Sequence, residues 1–142
     1  MNRPDPGLRA AYRHFTPLAT RWMDNDVFGH INNVVFYSFF DTAITSLLIA
    51  AGLLDWRHGA QFMVVAESGC RYHRSIAFPD PIDIGLRVGR LGISSVRYEL
   101  GVFGADGAAA AEGFFVHICV DSVTRRPVPL PDQWRSVLAG FG

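Results

Sequence analysis

The sequence TRWMDNDVFGHINNVVFY, residues 20–37, contains the end of a predicted strand and the start of a long predicted helix. The polar run 24–26 breaks a strand-like segment, 14–23, in which threonines separate the apolar residues. Asn32 or Asn33 is a suitable N-cap, because its side chain can accept a hydrogen bond from a free backbone N–H. The helix is then predicted from about Val34 to Ala51, with Gly52 as the residue that follows it.

Downstream of this helix the hydrophobic pattern changes to a period of two residues, which is typical of strands. Four strands are predicted, at 62–74, 82–88, 95–103 and 112–120. A short terminal helix is predicted at 133–138. The order of one strand, a long helix and four strands in a meander indicates an α+β domain, with one helix against a five-stranded antiparallel sheet. Because the helix is apolar nearly all round, we expect the sheet to curl around it and a second subunit to help cover it.

Composition narrows the possible functions. The 142 residues fit one domain, 1–142, and 49% of them are hydrophobic. The formal net charge is zero, so nucleic acid and anionic membrane are not expected as partners. Every basic residue is arginine, which excludes a Schiff-base lysine and a P-loop lysine. Cys70 and Cys119 form no CxxC pair and no zinc-type spacing with histidine, so neither a metal nor a cofactor is expected.

The apolar run Val34–Gly52 is long enough to require comparison with a membrane span. Asp41 interrupts it, and a charge at mid-span costs about 2.5–3.5 kcal/mol on insertion scales. A helix buried in a folded domain is therefore the preferred interpretation. The N-terminal segment 1–15 lacks the apolar region of a signal peptide, and we expect a cytoplasmic protein.

The 20–37 stretch also contains the residues best suited to chemistry. A strand leads into a loop that carries the carboxylate of Asp26, and Gly29 allows close approach of the backbone to a ligand. A helix begins a few residues later, with free N–H groups and the positive end of its dipole. Such donors would polarise a thioester carbonyl and stabilise its oxyanion. Asp26 could attack the carbonyl or activate water, and both roles remain open.

This stretch resembles the hotdog-fold thioesterases of the 4-hydroxybenzoyl-CoA thioesterase type. In that family an Asp, two variable residues and a Gly precede the central helix, as Asp26 and Gly29 do here. The Gly-His-Ile-Asn-Asn that follows looks like the His-x-Asn-Asn branch, and plant acyl-ACP thioesterases share this spacing. Two later parts of the chain are similar to the family more weakly. The first consists of 71–75 together with 78–81, and the second is 91–95. The resemblance implies a hotdog fold, one long helix wrapped by a curved five-stranded sheet, and an acyl-CoA thioesterase.

On this resemblance the catalytic residues are Asp26, Gly29, His30 and Asn33, with the backbone N–H near Asn33 as oxyanion donor. Benzoyl-type members carry an aliphatic residue and a tyrosine where His30 and Asn33 stand, so aryl specificity does not carry over. A second branch of the family places its acid within the central helix. Asp41 lies near that position and is the rival carboxylate.

The substrate predicted from the resemblance is acyl-CoA, bound by a homodimer or homotetramer. Four residues are predicted to bind it: Asn32, Arg71, Arg74 and Arg90. Arginine suits a bidentate grip on the CoA phosphates. Two alternatives remain open, an acyl-ACP thioesterase and a non-catalytic acyl-CoA-binding hotdog protein. His73 and His117, in contrast, show no ligand spacing and are predicted to be structural or surface groups.

Overall fold

A computed structural model describes residues 3–142 of the chain. Two helices and five strands form its framework, with short 3₁₀ turns at Arg9–Ala11 and Trp22–Asp24. In chain order the elements are β1 (His14–Leu18), α1 (Asn33–Ala50), β2 (Gln61–Tyr72), β3 (Ile82–Leu91), β4 (Ser95–Phe103), β5 (Ala111–Asp121) and α2 (Asp132–Ala139). The predicted α+β class, the long helix and the five antiparallel strands are confirmed.

The order of the strands corrects one prediction. The sheet runs β1-β3-β4-β5-β2, and every neighbouring pair is antiparallel. Only β3, β4 and β5 form a meander, whereas β2 lies at the far edge and pairs with β5 along its whole length. The predicted meander of all four strands after α1 is therefore wrong. Period-two patterning determines which face of a strand is buried, but it does not determine the neighbouring strand.

The first predicted strand is also too long. β1 ends at Leu18, and Trp22–Asp24 forms a 3₁₀ turn instead. The Asp24 carboxylate explains this turn, because it accepts hydrogen bonds from the backbone N–H and the guanidinium of Arg21. A side chain that bonds to the local backbone in this way competes with strand pairing.

α1 lies across the sheet with its core face fully buried. Its buried side chains are Phe36, Phe39, Phe40, Ala43, Ile44, Leu47 and Leu48. Phe40 has no exposed surface, and its ring sits over Gly113 of β5. A Cβ on Gly113 would meet the Phe40 ring at 2.5 Å and the backbone oxygen of Gly69 at 2.8 Å. The absence of a side chain on Gly113 thus sets how closely α1 approaches the sheet.

The opposite face of α1 is exposed in the single chain. Val34, Ser38, Asp41, Thr42 and Ile49 form this exposed stripe, and Val34 and Ile49 are 68% and 48% exposed. By length and composition alone, Asn33–Ala50 would also pass as a membrane span. Its buried face belongs to the main core cluster, which is what a core helix of a folded domain shows.

We predict that Gly113→Ala destabilises the fold by about 1–3 kcal/mol, because the added methyl group overpacks the contact with Phe40. Gly107→Ala is the matched control, since a Cβ there meets no atom within 4 Å. Urea unfolding followed by circular dichroism measures both. Equal stability of the two variants would contradict the proposed contact.

Candidate functional site

The loop between β1 and α1 is held by Asp24, which is 1% exposed. Besides its bonds to Arg21, its backbone oxygen accepts from the N–H of Asn32 at 2.9 Å. The N–H of Ile31 donates to the oxygen of Ile76 at 2.8 Å, and Asn25 Oδ1 accepts from the N–H of Phe78 at 3.0 Å. The loop is therefore fixed both to its own ends and to the segment that follows β2.

Asp26 and Gly29 form the two ends of a tight turn within this loop. The N–H of Gly29 donates to the backbone oxygen of Asp26 at 3.1 Å, and Gly29 has a φ of +83°. That backbone conformation favours glycine. One carboxylate oxygen of Asp26, Oδ1, accepts from the N–H of Phe28 at 2.9 Å. This bond orients the carboxylate, and Oδ2 has no hydrogen-bond partner among the described residues.

The start of α1 has one backbone donor available. Asn32 is the N-cap: its Oδ1 accepts from the N–H of Val34 at 3.0 Å, and its backbone oxygen accepts from Val35 at 3.0 Å. Within residues 3–142 the N–H of Asn33 finds no acceptor. The cap thus satisfies the next two N–H groups and leaves that of Asn33, at the positive end of the helix dipole, free for a ligand.

Asp26 and Asn33 line the same cleft of about 430 Å³. We call it the Asp26 cleft, and its other lining residues are Phe28, His30, Ile31, Phe36, Tyr72, His73, Arg74 and Ser75. The predicted residues Asp26, His30 and Asn33 therefore lie together. Gly29 and Asn32 shape the loop and the helix start rather than the cleft wall, and both line a second opening that Asp26 also borders.

The end of β2 supplies cleft residues that the sequence prediction missed. The hydroxyl of Tyr72 donates to the backbone oxygen of Asn33 at 3.0 Å, and its ring packs edge-on against Phe36. Burial is the main reason that the pKa of Tyr72 lies well above 10, so the phenol stays protonated as a donor. His73 Nε2 lies 3.0 Å from Glu112 Oε2. The segment 71–75, which resembles the family, was the available signal for both residues.

The predicted arginines are not grouped at the cleft. Arg74 lines it, donates to the oxygen of Ala108 at 3.0 Å and lies 3.5 Å from Asp106. Arg71 precedes Tyr72 on the strand and so points to the other face of the sheet, where it lines a different cleft. Arg90 lies near the far end of β3, opposite Arg97. Their binding of CoA phosphates stays a prediction, for which Arg74 has the most favourable position.

The rival carboxylate, Asp41, lies in a different cleft. It is eight residues beyond Asn33, about 12 Å along the axis of α1 at 1.5 Å per residue. It lines a space of about 630 Å³ together with Thr45, His117 and an apolar wall. We call this space the His117 cleft. Asp41 and Asp26 thus cannot act on one carbonyl from the same chain.

The other candidate nucleophiles are poorly suited to attack. Burial raises the pKa of the Cys70 thiol to about 11 and also raises that of Cys119. Both thiols are therefore protonated at neutral pH, and a thiol is a weak nucleophile compared with a thiolate. Across residues 3–142, no group of three or more His, Cys, Asp or Glu side chains is placed to hold a metal ion.

His117 is 7% exposed, and neither ring nitrogen has a hydrogen-bond partner among the described residues. Burial lowers the pKa of its imidazole below the ordinary 6.5, and the nearby charge of Asp41 opposes this shift. The unfolded chain therefore takes up this proton at a higher pH than the folded chain does. Because of this difference, the contribution of the ring to the free energy of unfolding is highest above about pH 6.5, where the ring is neutral in both states. It decreases as the pH falls below that value.

We predict that the free energy of unfolding decreases more steeply between about pH 7.5 and about pH 5 in the wild type than in His117→Phe. The phenylalanine cannot take up a proton, so the difference between the two curves isolates the imidazole from other titrating groups. Urea unfolding at a series of pH values measures it. Parallel curves would show that the His117 ring is not held neutral by burial.

Comparisons with known proteins agree with this architecture. Residues 20–138 match the family model of the thioesterase-like superfamily. The structure is similar to that of the PA5185 protein from Pseudomonas aeruginosa strain PAO1, with 48% identity, a TM-score of 0.93, and 97% and 96% of the two chains covered. The PA2801 protein, a putative thioesterase from Pseudomonas aeruginosa, has 27% identity and a TM-score of 0.81, with 87% and 96% of the two chains covered.

A third structure, DHNA-CoA thioesterase from Staphylococcus aureus, has 20% identity and a TM-score of 0.79, with 88% and 90% of the chains covered. At that identity the likeness concerns the fold. The five-stranded sheet with one long helix is shared with these neighbours, and the predicted hotdog fold is confirmed.

Proposed function

Because this chain belongs to the thioesterase-like superfamily, we propose that it hydrolyses an acyl-CoA thioester to a free acid and CoA, with Asp26 as the catalytic carboxylate. One observation carries this proposal: Asp26 and Asn33 line the same cleft, and the backbone N–H of Asn33 has no acceptor among the described residues. An acid and an oxyanion donor on one cleft are the minimum that acyl transfer to water requires.

In the proposed reaction the thioester carbonyl oxygen accepts a hydrogen bond from the N–H of Asn33. As general base, Asp26 removes a proton from water while the water oxygen forms a bond to the carbonyl carbon. The carbon–sulfur bond then breaks, and the leaving CoA thiolate takes up the proton that Asp26 removed from water. As nucleophile, Asp26 would instead attack the carbonyl carbon and expel the CoA thiolate, which gives an anhydride that water then hydrolyses. Both routes use the same two groups and give the same products.

The surroundings of the cleft support this assignment. The Asn32 cap and the bond from Tyr72 to the Asn33 oxygen hold the oxyanion donor in place before substrate arrives. Preorganised donors of this kind are usually the largest contribution to catalysis of acyl transfer. His30 lines the cleft beside Asp26, and we assign it to positioning the substrate.

CoA is favoured over acyl carrier protein as the carrier, because the substrate named for the S. aureus relative is a CoA thioester. Arg74, at the edge of the cleft, is the arginine best placed for the CoA phosphates. A non-catalytic acyl-CoA-binding protein remains the second candidate. It would release no thiol from any acyl-CoA, which separates it from the proposed enzyme.

We predict that Asp26→Asn lowers kcat by about 10²–10⁴-fold, because the amide can neither accept the proton of water nor attack the carbonyl. The substitution keeps the size of the side chain and its acceptor for the Phe28 N–H, so the fold should persist. Thiol release from a panel of acyl-CoAs measures the rate, and circular dichroism checks folding.

Asp41→Asn is the matched control, since it removes the rival carboxylate of α1. We expect it to fold and to retain turnover within a few-fold of the wild type. Near-normal turnover in Asp26→Asn together with a folded but inactive Asp41→Asn would transfer the catalytic role to the helix.

We further propose that the chain forms a homodimer through β2 and the exposed stripe of α1. β2 is an edge strand whose middle residues, 64–68, are all exposed. An unpaired edge with apolar side chains is a template for pairing with another strand. Val65 on this edge is 50% exposed, next to a bulge in the pairing with β5. A tetramer built from two such dimers is part of the same proposal.

We predict that Val65→Asp shifts the protein to monomer at micromolar concentration, because like charges would face each other across the paired edges. Val123→Asp is the matched control: this valine is 86% exposed but lies in the turn after β5. Sedimentation equilibrium measures both variants. A wild type that is already monomeric would exclude the dimer.

A further inference from the structure

The His117 cleft contains a buried polar group with nothing to bond to. His117 lies on β5, opposite Val65 of β2, and neither ring nitrogen meets a donor or acceptor in the described part of the chain. Tyr98 packs edge-on against the ring at 5.3 Å, but the two side chains form no hydrogen bond. An unsatisfied buried polar group costs about 1–3 kcal/mol, so a partner from outside the chain would be favourable.

Most of the surface around this ring is apolar, and the other charged or titratable residues of the lining are Asp41, Asp55, Arg57 and His58. Leu48 of α1, Leu54, Trp56, Phe62 and Met63 line the same space, which measures about 630 Å³. This size is typical of pockets for small molecules, and a few polar groups among apolar walls usually fix the orientation of the ligand. The cleft therefore fits an apolar ligand that carries one hydrogen-bonding group.

The chemistry of the His117 ring indicates which hydrogen-bonding group the ligand carries. Burial keeps the imidazole neutral, so one nitrogen donates and the other accepts. A hydroxyl can both accept and donate and therefore suits either nitrogen. An anionic tip would meet the carboxylates of Asp41 and Asp55, which outnumber the single guanidinium of Arg57 on the same lining. A hydroxyl is thus preferred over a carboxylate.

The position of the cleft connects it with the proposed reaction. Both clefts are lined by α1 and β2: the Asp26 cleft by Asn33 and Tyr72, and the His117 cleft by Asp41 and the segment 61–63. They lie at opposite ends of the α1–β2 face on which the proposed dimer forms. An acyl group held at one end can thus extend toward the other end, or toward the corresponding cleft of a second copy.

We propose that the His117 cleft receives the acyl group of the substrate and that His117 selects acyl chains carrying a hydroxyl group. This inference rests on the proposed thioester hydrolysis. His117 is a specificity-determining residue in this view, and it takes no part in the chemical step at the carbonyl.

The test compares the saturated acyl-CoA that the wild type hydrolyses fastest with its counterparts hydroxylated at successive carbons. We expect kcat/KM for at least one hydroxylated isomer to exceed that of the unsubstituted chain by about tenfold, as one added hydrogen bond allows. His117→Phe should abolish this preference, and His117→Gln, which keeps a donor and an acceptor, should retain part of it. His14→Phe is the matched control, since His14 packs against Phe141 outside the cleft, and it should keep the full preference.

A second measurement on the wild type does not depend on turnover or on the folding of a variant. Nitrogen-15 spectra of the histidine rings are recorded during titration with the hydroxylated free acid and with its unsubstituted counterpart. The proposal is supported if the hydroxylated acid causes saturable shifts of the His117 signals and the unsubstituted acid causes smaller ones. Through-space contacts between the His117 and Tyr98 rings, whose centroids are 5.3 Å apart, assign the signals in the wild type.

Two results would overturn the inference. One is a ratio of kcat/KM for the hydroxylated acyl-CoA to kcat/KM for the unsubstituted one that His117→Phe leaves unchanged. The other is a set of His117 signals that no free acid moves, which would indicate ordered water alone in the cleft. If the wild type releases thiol from no acyl-CoA, the proposed function fails instead, and the ring spectra still decide whether the cleft binds a hydroxylated chain.

Discussion

The contact between Phe40 of α1 and Gly113 of β5 is the constraint on which the rest of the structure depends. An 18-residue apolar helix is stable in water only when its apolar surface is covered, and the sheet covers it by approaching closely at a residue without a side chain. This contact determines where α1 lies. The start of the helix, and the loop that leads to it, are then held at one end of the sheet beside the last residues of β2.

The position of the loop between β1 and α1 is fixed by this arrangement. The buried Asp24 fixes the N–H of Asn32, Asn32 caps the helix, and Tyr72 of β2 holds the oxygen of Asn33. The first two bonds satisfy N–H groups that have no partner within the helix, and the third fixes a carbonyl of its first turn. One N–H, that of Asn33, has no acceptor in the described part of the chain, and Asn33 lines the same cleft as Asp26. A helix that must be capped and docked thus produces a donor and an acid on one cleft without any separate framework.

The sequence predicted the features that depend on local chemistry. Polar residues, Gly29 and the cap residues located the turn and the helix start, and strand periodicity located the sheet. The position of β2 beside β5 was not predictable, because pairing across the sheet depends on long-range packing. For the same reason Tyr72 could not be placed near Asn33, since 39 residues separate them. A structural role for His117 was predicted from the spacing of histidines, and such spacing carries no information about which buried side chains lack a hydrogen-bond partner.

The exposed α1–β2 face links the two proposed properties of the molecule. In a single chain this face leaves a strand edge unpaired, Val34 and Ile49 exposed, and both clefts open to solvent. A second copy over the same face would pair the edge and cover the valine and isoleucine. It would also exclude water from the space between the clefts, where hydrogen bonds to a carbonyl or a hydroxyl are then stronger. The same surface would therefore account for the proposed assembly, for a dry reaction site and for the proposed selection of the acyl chain.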